Sequence, residues 1–207
     1  MKIWEGEFGK KYTDRNDVKD VQEWDEVYQK TWGITRTEMN TEFLGDLPRD
    51  MKVLEVGCNV GNQLRVLQQM GFSRLYGIEL QAYAVESARC RTTGINIIQG
   101  SAFDIPFKDR FFDLVFTSGV LIHISPGDIH EVLSEIHRCT REYIWGFEYF
   151  SEKCTEINYR DHGDLLWKNN FVSLYLEQFK DVSLIKEKKY RYLANDNVDT
   201  MFLLRRH

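Results

Sequence analysis

Residues 51–70 read MKVLEVGCNVGNQLRVLQQM, and the change of period inside them restricts the fold more than any other stretch. MKVLEV is an apolar run of strand length and GCNVG is a glycine-bearing turn. Leu64, Leu67 and Met70 then recur at helical spacing until Gly71 stops the helix. Strand, tight turn and helix make the unit from which parallel sheets are wound, because parallel strands need a long crossover and a helix usually supplies it.

The unit repeats along the chain. RLYGIE (74–79) reads as a second strand, Ala82, Val85 and Ala88 line a second helix, and GINIIQ (94–99) is a third strand. Phe112 to Phe116 is a fourth. Ser125-Pro126-Gly127-Asp128 has the residues of a helix start, with Ser125 as cap and Pro126 in the first helical position; Ile129, Val132, Leu133 and Ile136 follow at i, i+3, i+4 and i+7. Tyr143 to Phe147 is a fifth strand, Leu165 to Phe179 a helix, and Val182 to Leu193 with Val198 to Leu204 a closing hairpin.

The predicted fold is therefore α/β, a Rossmann-like doubly wound seven-stranded sheet over residues 49–207 forming one globular unit. Residues 1–48 form an N-terminal helical extension, in which Val18, Val21, Trp24 and Tyr28 mark an amphipathic helix and Trp32, Met39 and Phe43 continue the cover. The stretch EGEFGKKYTDR (5–15) fits neither helix nor strand and reads as an irregular segment.

Composition narrows the class. A chain of 207 residues that is 43% hydrophobic can bury one sizeable core. Its longest nearly apolar stretch, Leu114 to Ile124, is interrupted by Thr117, Ser118 and His123 and is too short to span a bilayer; with no apolar signal region at the N-terminus, a cytoplasmic protein without a membrane partner is expected. Cys58, Cys90, Cys139 and Cys154 lie far apart with no C-x-x-C, so reduced thiols and no structural metal site are expected. Asp161, His162 and Asp164 are read as a solvated loop, not a metal centre. A net charge of -5 and only short, interrupted basic clusters leave no footprint for a phosphate backbone, so no nucleic-acid partner is expected. Nothing in the sequence fixes an oligomeric state.

In a doubly wound sheet ligands collect beyond the carboxyl ends of the strands. The first strand ends Glu55-Val56-Gly57-Cys58-Asn59-Val60-Gly61. Asn59 and Asn62 stand where a dinucleotide fingerprint has its second and third glycines, which removes the pyrophosphate cradle and disfavours NAD and FAD. A carboxylate beside a glycine turn suits a ligand that carries a cation. Glu79 ends the second strand, 22 residues after Gly57, where a carboxylate can accept both hydroxyls of a ribose. Gly100-Ser101-Ala102-Phe103-Asp104 follows the third strand and offers a backbone N–H, a hydroxyl and an aromatic face to a purine.

Cation, ribose and adenine in that order describe S-adenosylmethionine (SAM). The chain resembles the class I SAM-dependent methyltransferases in four motifs: VLEVGCNVG, Glu79, GSAFD, and FDLVFTSGVLIHI, together covering Met51 to about Phe150. The resemblance implies SAM as cofactor and S-adenosylhomocysteine (SAH) as product. It places Glu55, Gly57, Cys58, Asn59, Gly61, Glu79, Leu80, Ser101, Ala102, Phe103 and Ser118 around the cofactor. Asn59 departs from the usual middle glycine and Ser101 from the usual adenine-loop acid. A narrower resemblance, in WEGEFGKKYTDRN, Asn158-Tyr159-Arg160 and DLLWKNNF, is to the methylases associated with pseudaminic acid biosynthesis in bacteria. It implies a sugar or nucleotide-sugar acceptor in surface-glycan biosynthesis.

A hydroxyl acceptor must lose a proton, and His123, then Glu148, are the candidate bases. Tyr149, Tyr159, Arg160 and His162 are candidates for holding the acceptor, Arg160 through a bidentate contact. In the opening stretch, Phe8 and Tyr12 are expected to shield the sulfonium and Arg15 to pair with the cofactor's carboxylate, while Gly6 and Gly9 let the segment turn as a lid. Two other classes compete. One is a methyltransferase for protein or RNA, disfavoured by the missing basic stripe and by Thr117-Ser118-Gly119-Val120 where an N/D-P-P-Y motif would stand. The other is a non-catalytic SAM-binding module, which would not need polar residues such as His123 and Glu148.

Overall fold

A computed structural model of the protein describes residues 2–159 and 163–207. The chain divides into two compact units, residues 1–106 and 107–207. Seven strands make a mostly parallel sheet, and helices accompany them, as the period changes in the sequence require.

The first unit opens with four helices: α1 (Lys2–Glu5), α2 (Glu7–Arg15), α3 (Val21–Trp32) and α4 (Arg36–Leu44). It continues β1 (Lys52–Val56), α5 (Asn62–Gln69), β2 (Arg74–Glu79), α6 (Ala82–Arg91) and β3 (Asn96–Gln99). β1 and β3 both pair parallel to β2, with Glu55 opposite Gly77 and Glu79 opposite Gln99. Val53, Leu54, Glu55 and Val56 are all buried, as expected of a parallel strand covered on both faces. The helix starts follow side-chain chemistry. Asp20 accepts from the Glu23 N–H at 2.9 Å to start α3, and Thr35 and Glu38 cap α4 reciprocally. Gly33, at φ 75°, ends α3 in the left-handed conformation that glycine adopts most easily.

The opening stretch corrects the sequence reading, because residues 7–15 are the helix α2. Trp4, Phe8 and Tyr12 fall at i, i+4 and i+8, and the rings of Phe8 and Tyr12 meet Trp4 edge-on at 5.2 and 5.3 Å. At Gly9 a Cβ would collide with the Trp4 carbonyl, so the glycine lets α1 and α2 pack.

The second unit runs β4 (Phe112–Ser118), a 3-10 turn (Leu121–His123), α7 (Ile129–Cys139), β5 (Thr140–Tyr149), β6 (Thr155–Glu156), β7 (Trp167–Lys168), α8 (Phe171–Gln178), β8 (Val182–Arg191) and β9 (Val198–Arg206). β4 and β5 are parallel, and β9 is antiparallel to both β5 and β8. Ile129, Val132, Leu133 and Ile136 form the buried face of α7. Gly146 lies opposite Phe202, and a Cβ there would enter the Phe202 ring.

Two helix starts differ from expectation. Ser125 does not cap α7; its carbonyl accepts from the Asp128 and Ile129 N–H groups at 3.0 Å, so residues 125–128 make a turn and the helix begins at Ile129. The C-terminal helix starts at Phe171, not near 165, because Trp167–Lys168 pairs with Thr155–Glu156 as a small hairpin, and Asn170 then caps α8 by accepting from the Ser173 N–H at 3.1 Å. Among the described residues no helix is long and apolar enough to cross a membrane.

Candidate active site

The carboxyl ends of β1, β2 and β3 bring together the cofactor residues expected from the sequence. The turn after β1 is built from left-handed backbone, with φ of 73° at Gly57, 46° at Asn59 and 80° at Gly61. Gly57 and Cys58 donate their N–H groups to the Ile78 carbonyl at 2.8 and 3.0 Å, which draws the turn onto β2. Gly77 on β2 leaves room for it: a Cβ there would lie 2.7 Å from Cys58 Sγ and 2.9 Å from Leu64 and Ile97. Cys58 is buried, and burial raises its thiol well above the usual range.

Glu79 is held by backbone donors. The Asn59 N–H donates to one carboxylate oxygen and the Gln81 N–H to the other, each at 2.9 Å. Each oxygen keeps a second lone pair, so two adjacent hydroxyl groups can be received without reorienting the side chain. Burial raises its pKa, and the Gln81 and Asn59 N–H groups oppose that rise.

Glu55 is more enclosed. It is buried, and its Oε2 has no hydrogen-bond partner among the described residues. Burial pushes its pKa well up; the Arg36 guanidinium opposes this and Glu79 adds to it. A buried, unsatisfied carboxylate beside a glycine turn is the donor set that a cationic ligand needs. With Glu79 placed for a ribose, the residues present fit SAM.

At the end of β3, Ser101 Oγ accepts from the Phe103 N–H at 3.1 Å, closing a small turn in which Ser101, Ala102 and Phe103 are half-buried. Leu80, also half-buried, is tied to β3 through its carbonyl, which accepts from the Gln99 side chain at 3.0 Å. From the opening stretch, Tyr12 is half-buried and Arg15 is exposed, its guanidinium 5.7 Å from the Tyr12 ring centre.

Residues that sequence reasoning missed tie the N-terminal helices to this site. The Gln81 side chain donates to the carbonyls of Trp4, Glu5 and Gly6, and Asn62 donates to the Asn16 carbonyl at 2.8 Å. Arg36, fully buried on α4, donates to Asn40 and Tyr28 at 3.0 and 3.1 Å, and Gln63 turns its amide oxygen to the same guanidinium. No local period signals the Gln81 and Asn62 contacts, since each joins segments far apart in sequence.

The remaining candidates lie in the second unit. Ser118 ends β4. His123 ends the 3-10 turn, and its Nδ1 lies 2.7 Å from the Leu165 carbonyl; that contact makes Nδ1 the protonated nitrogen and Nε2 the acceptor. Burial lowers its pKa to about 4, so the ring is neutral at pH 7. Glu148 is buried near the end of β5, accepts from the Val120 N–H at 3.2 Å, and has its pKa raised by burial to about 7. It thus caps the turn that carries His123. Tyr149 ends β5, and Tyr159 lies with its ring centre 5.6 Å from that of His123. Arg160 and His162 lie outside the described residues.

A family model described as a methyltransferase domain matches residues 54–143. A botryococcene C-methyltransferase from Botryococcus braunii is 29% identical over 120 residues, which are 54% of this chain and 31% of that protein. An uncharacterised methyltransferase from Synechocystis is 32% identical over 87 residues, 42% of this chain and 41% of that protein. The chain thus matches less than half the length of these two curated relatives. In structure it resembles the magnesium protoporphyrin IX methyltransferase of Synechocystis, solved with bound SAH, with a TM-score of 0.71 at 15% identity, covering 100% of this chain and 97% of that one. Residues 54–143 are a methyltransferase domain, and the fold around them is that of the class I enzymes, whose cofactor is SAM. By fold, the chain resembles the class I SAM-dependent methyltransferases.

Proposed function

We propose that the protein transfers the methyl group of SAM to a small-molecule acceptor, a sugar or nucleotide-sugar derivative. The observation that carries the methyltransferase reading is the pair of strand-end carboxylates, Glu79 fixed by two backbone N–H groups and Glu55 buried with an unsatisfied oxygen. SAM, when bound, supplies a methyl group on a cationic sulfur, ready for in-line displacement. The chain's own task is then positioning: Glu79 holds the ribose, Glu55 favours the cationic end, and Ser101 to Phe103 border the adenine. His123 is neutral at pH 7 with Nε2 as its acceptor nitrogen, the state a general base requires for a hydroxyl acceptor.

A small-molecule acceptor is supported by the names of two relatives, a botryococcene methyltransferase and a 24-methylenesterol C-methyltransferase. The net charge of -5 counts against an RNA acceptor. The sugar class rests on the resemblance of residues 4–16 and of the Tyr159 segment to the pseudaminic acid-associated methylases. The same reading assigns Tyr149, Tyr159, Arg160 and His162 to the acceptor, and Tyr12, Arg15 and Ser118 to the cofactor.

The test has two stages. SAM or SAH at a hundred times its Kd stabilises a binding protein by roughly 3 kcal/mol, which a thermal shift detects; a shift with NADH and none with SAM or SAH rejects the reading. Labelled methyl from SAM is then followed into nucleotide-activated sugars, total protein and total RNA. Label in protein or RNA alone replaces the acceptor class, and cofactor binding without transfer to any of the three favours a non-catalytic module.

A further inference from the structure

Lys168, in the β6–β7 hairpin, puts its ammonium against the end of β5. Its Nζ donates to Asn197 Oδ1 and lies 5.4 Å from the centre of the Tyr149 ring, and among the described residues it has no carboxylate partner. The side chain is half-buried, so the ammonium has given up part of its hydration for one amide oxygen and one ring face. Those are weak replacements for water around a full charge.

Its surroundings are built in layers. Tyr149 and Tyr192 approach with ring centres 5.6 Å apart. Asp199, buried at the start of β9, accepts from the Tyr192 hydroxyl and so helps to fix that ring. The Asn197 carbonyl accepts from the Tyr192 N–H at 2.9 Å, which holds the β8–β9 turn in place. All of this stands at the carboxyl end of β5, which runs parallel to β4, and ligands of α/β sheets gather on that side.

We infer that Lys168, Asn197, Tyr149 and Tyr192 form a recognition subsite for an anionic group, carboxylate or phosphate, carried by a ring-bearing acceptor. Lys168 supplies the countercharge, Asn197 sets the direction of the ammonium, and the two tyrosine rings supply flat apolar faces. Lys168 and Asn197 are specificity-determining residues and take no part in proton transfer. The inference deepens the small-molecule methyltransferase reading and rests on it.

The test uses the full chain saturated with SAH and three probes of similar size: glucuronate, glucose 6-phosphate and glucose. Calorimetry is expected to show binding of at least one anionic probe and at least tenfold weaker binding of glucose, and the stronger anion identifies the source of the charge. Lys168→Met should remove the preference and Lys168→Arg should restore part of it, while both variants keep wild-type SAH affinity. Equal binding of glucose, undiminished anion binding by Lys168→Met, or no binding of either anion overturns the inference. A failure of the parent reading is separate, because it shows as loss of SAH binding in the wild-type protein.

Discussion

Gln81 and Glu79 are joined by a hydrogen bond of 2.9 Å from backbone N–H to carboxylate, and the side-chain amide of the same Gln81 donates to Trp4, Glu5 and Gly6 at 3.3, 3.0 and 3.1 Å. One residue therefore holds both the strand-end acid and the junction of α1 with α2. Gln81→Ala is expected to loosen the first two helices at a cost of about 1–3 kcal/mol, since it strands backbone carbonyls that the amide now satisfies. Limited proteolysis at Lys10 and Lys11 should proceed faster in the variant; equal rates would show that the helices are held by other contacts.

Glu79→Ala should weaken SAM and SAH binding by roughly 10- to 100-fold, the loss expected for one or two hydrogen bonds to a charged group. Glu79→Gln is expected to fall between, because an amide keeps one acceptor but puts a donor against the Asn59 or Gln81 N–H. Calorimetric titration of each variant with SAH measures both effects.

Glu148 gives a stability signature that depends on pH. Its pKa is raised by burial from 4.5 to about 7, so the folded state favours the protonated form. The resulting stability is complete below the ordinary carboxylate range and is lost as pH rises through about 7, amounting to about 3 kcal/mol at most. Glu148→Gln keeps an acceptor for the Val120 N–H and removes the titration. Between pH 5 and 8 the wild-type melting temperature should fall relative to that of Glu148→Gln; parallel curves would mean that Glu148 is not held protonated.

His123 titrates in the opposite sense. Its pKa is lowered by burial from 6.5 to about 4, so its contribution to stability is present above the ordinary value and is lost as pH falls through about 4. If it is the base for a hydroxyl acceptor, turnover should be flat from pH 5.5 to 8 with respect to this group. His123→Ala should then lower kcat by about 10²- to 10⁴-fold with SAH affinity unchanged. Loss of SAH binding or of folding would instead mark the Leu165 contact as purely structural.

Gly9→Ala should destabilise the packing of α1 on α2, although alanine is the better helix former. Its Cβ meets the Trp4 carbonyl, and a backbone atom cannot swing aside as a side chain does. A loss of about 1–3 kcal/mol is expected, measured by denaturant unfolding. A gain would mean that α1 is displaced at little cost.

The legible parts of the sequence were those with a local cause. β1, its turn and α5 follow from a switch of period within twenty residues, and β2 from an apolar run that ends at Glu79. The place of Glu79 is legible because a strand's last residue is a position and not a fold-wide property. The helix α2 was hidden by two glycines, although Trp4, Phe8 and Tyr12 already carried a helical repeat. The hairpin strands β6 and β7 have two residues each, too few to show any period, so the sequence pattern runs a helix through Lys168. Gln81 and Asn62 act through partners distant in sequence, which no window of neighbouring residues contains.

Cys58 lies beneath the turn after β1, with its sulfur against the space that Gly77 leaves open. Cys90 and Cys154 are exposed and Cys139 is buried in the other unit. A thiol reagent in excess should therefore label the first two at once, and reach Cys58 only when the glycine turn lifts from the sheet. The labelling rate of that one sulfur is a built-in clock for the breathing of the turn, readable by mass spectrometry without a chromophore, and a ligand seated on the turn should slow it.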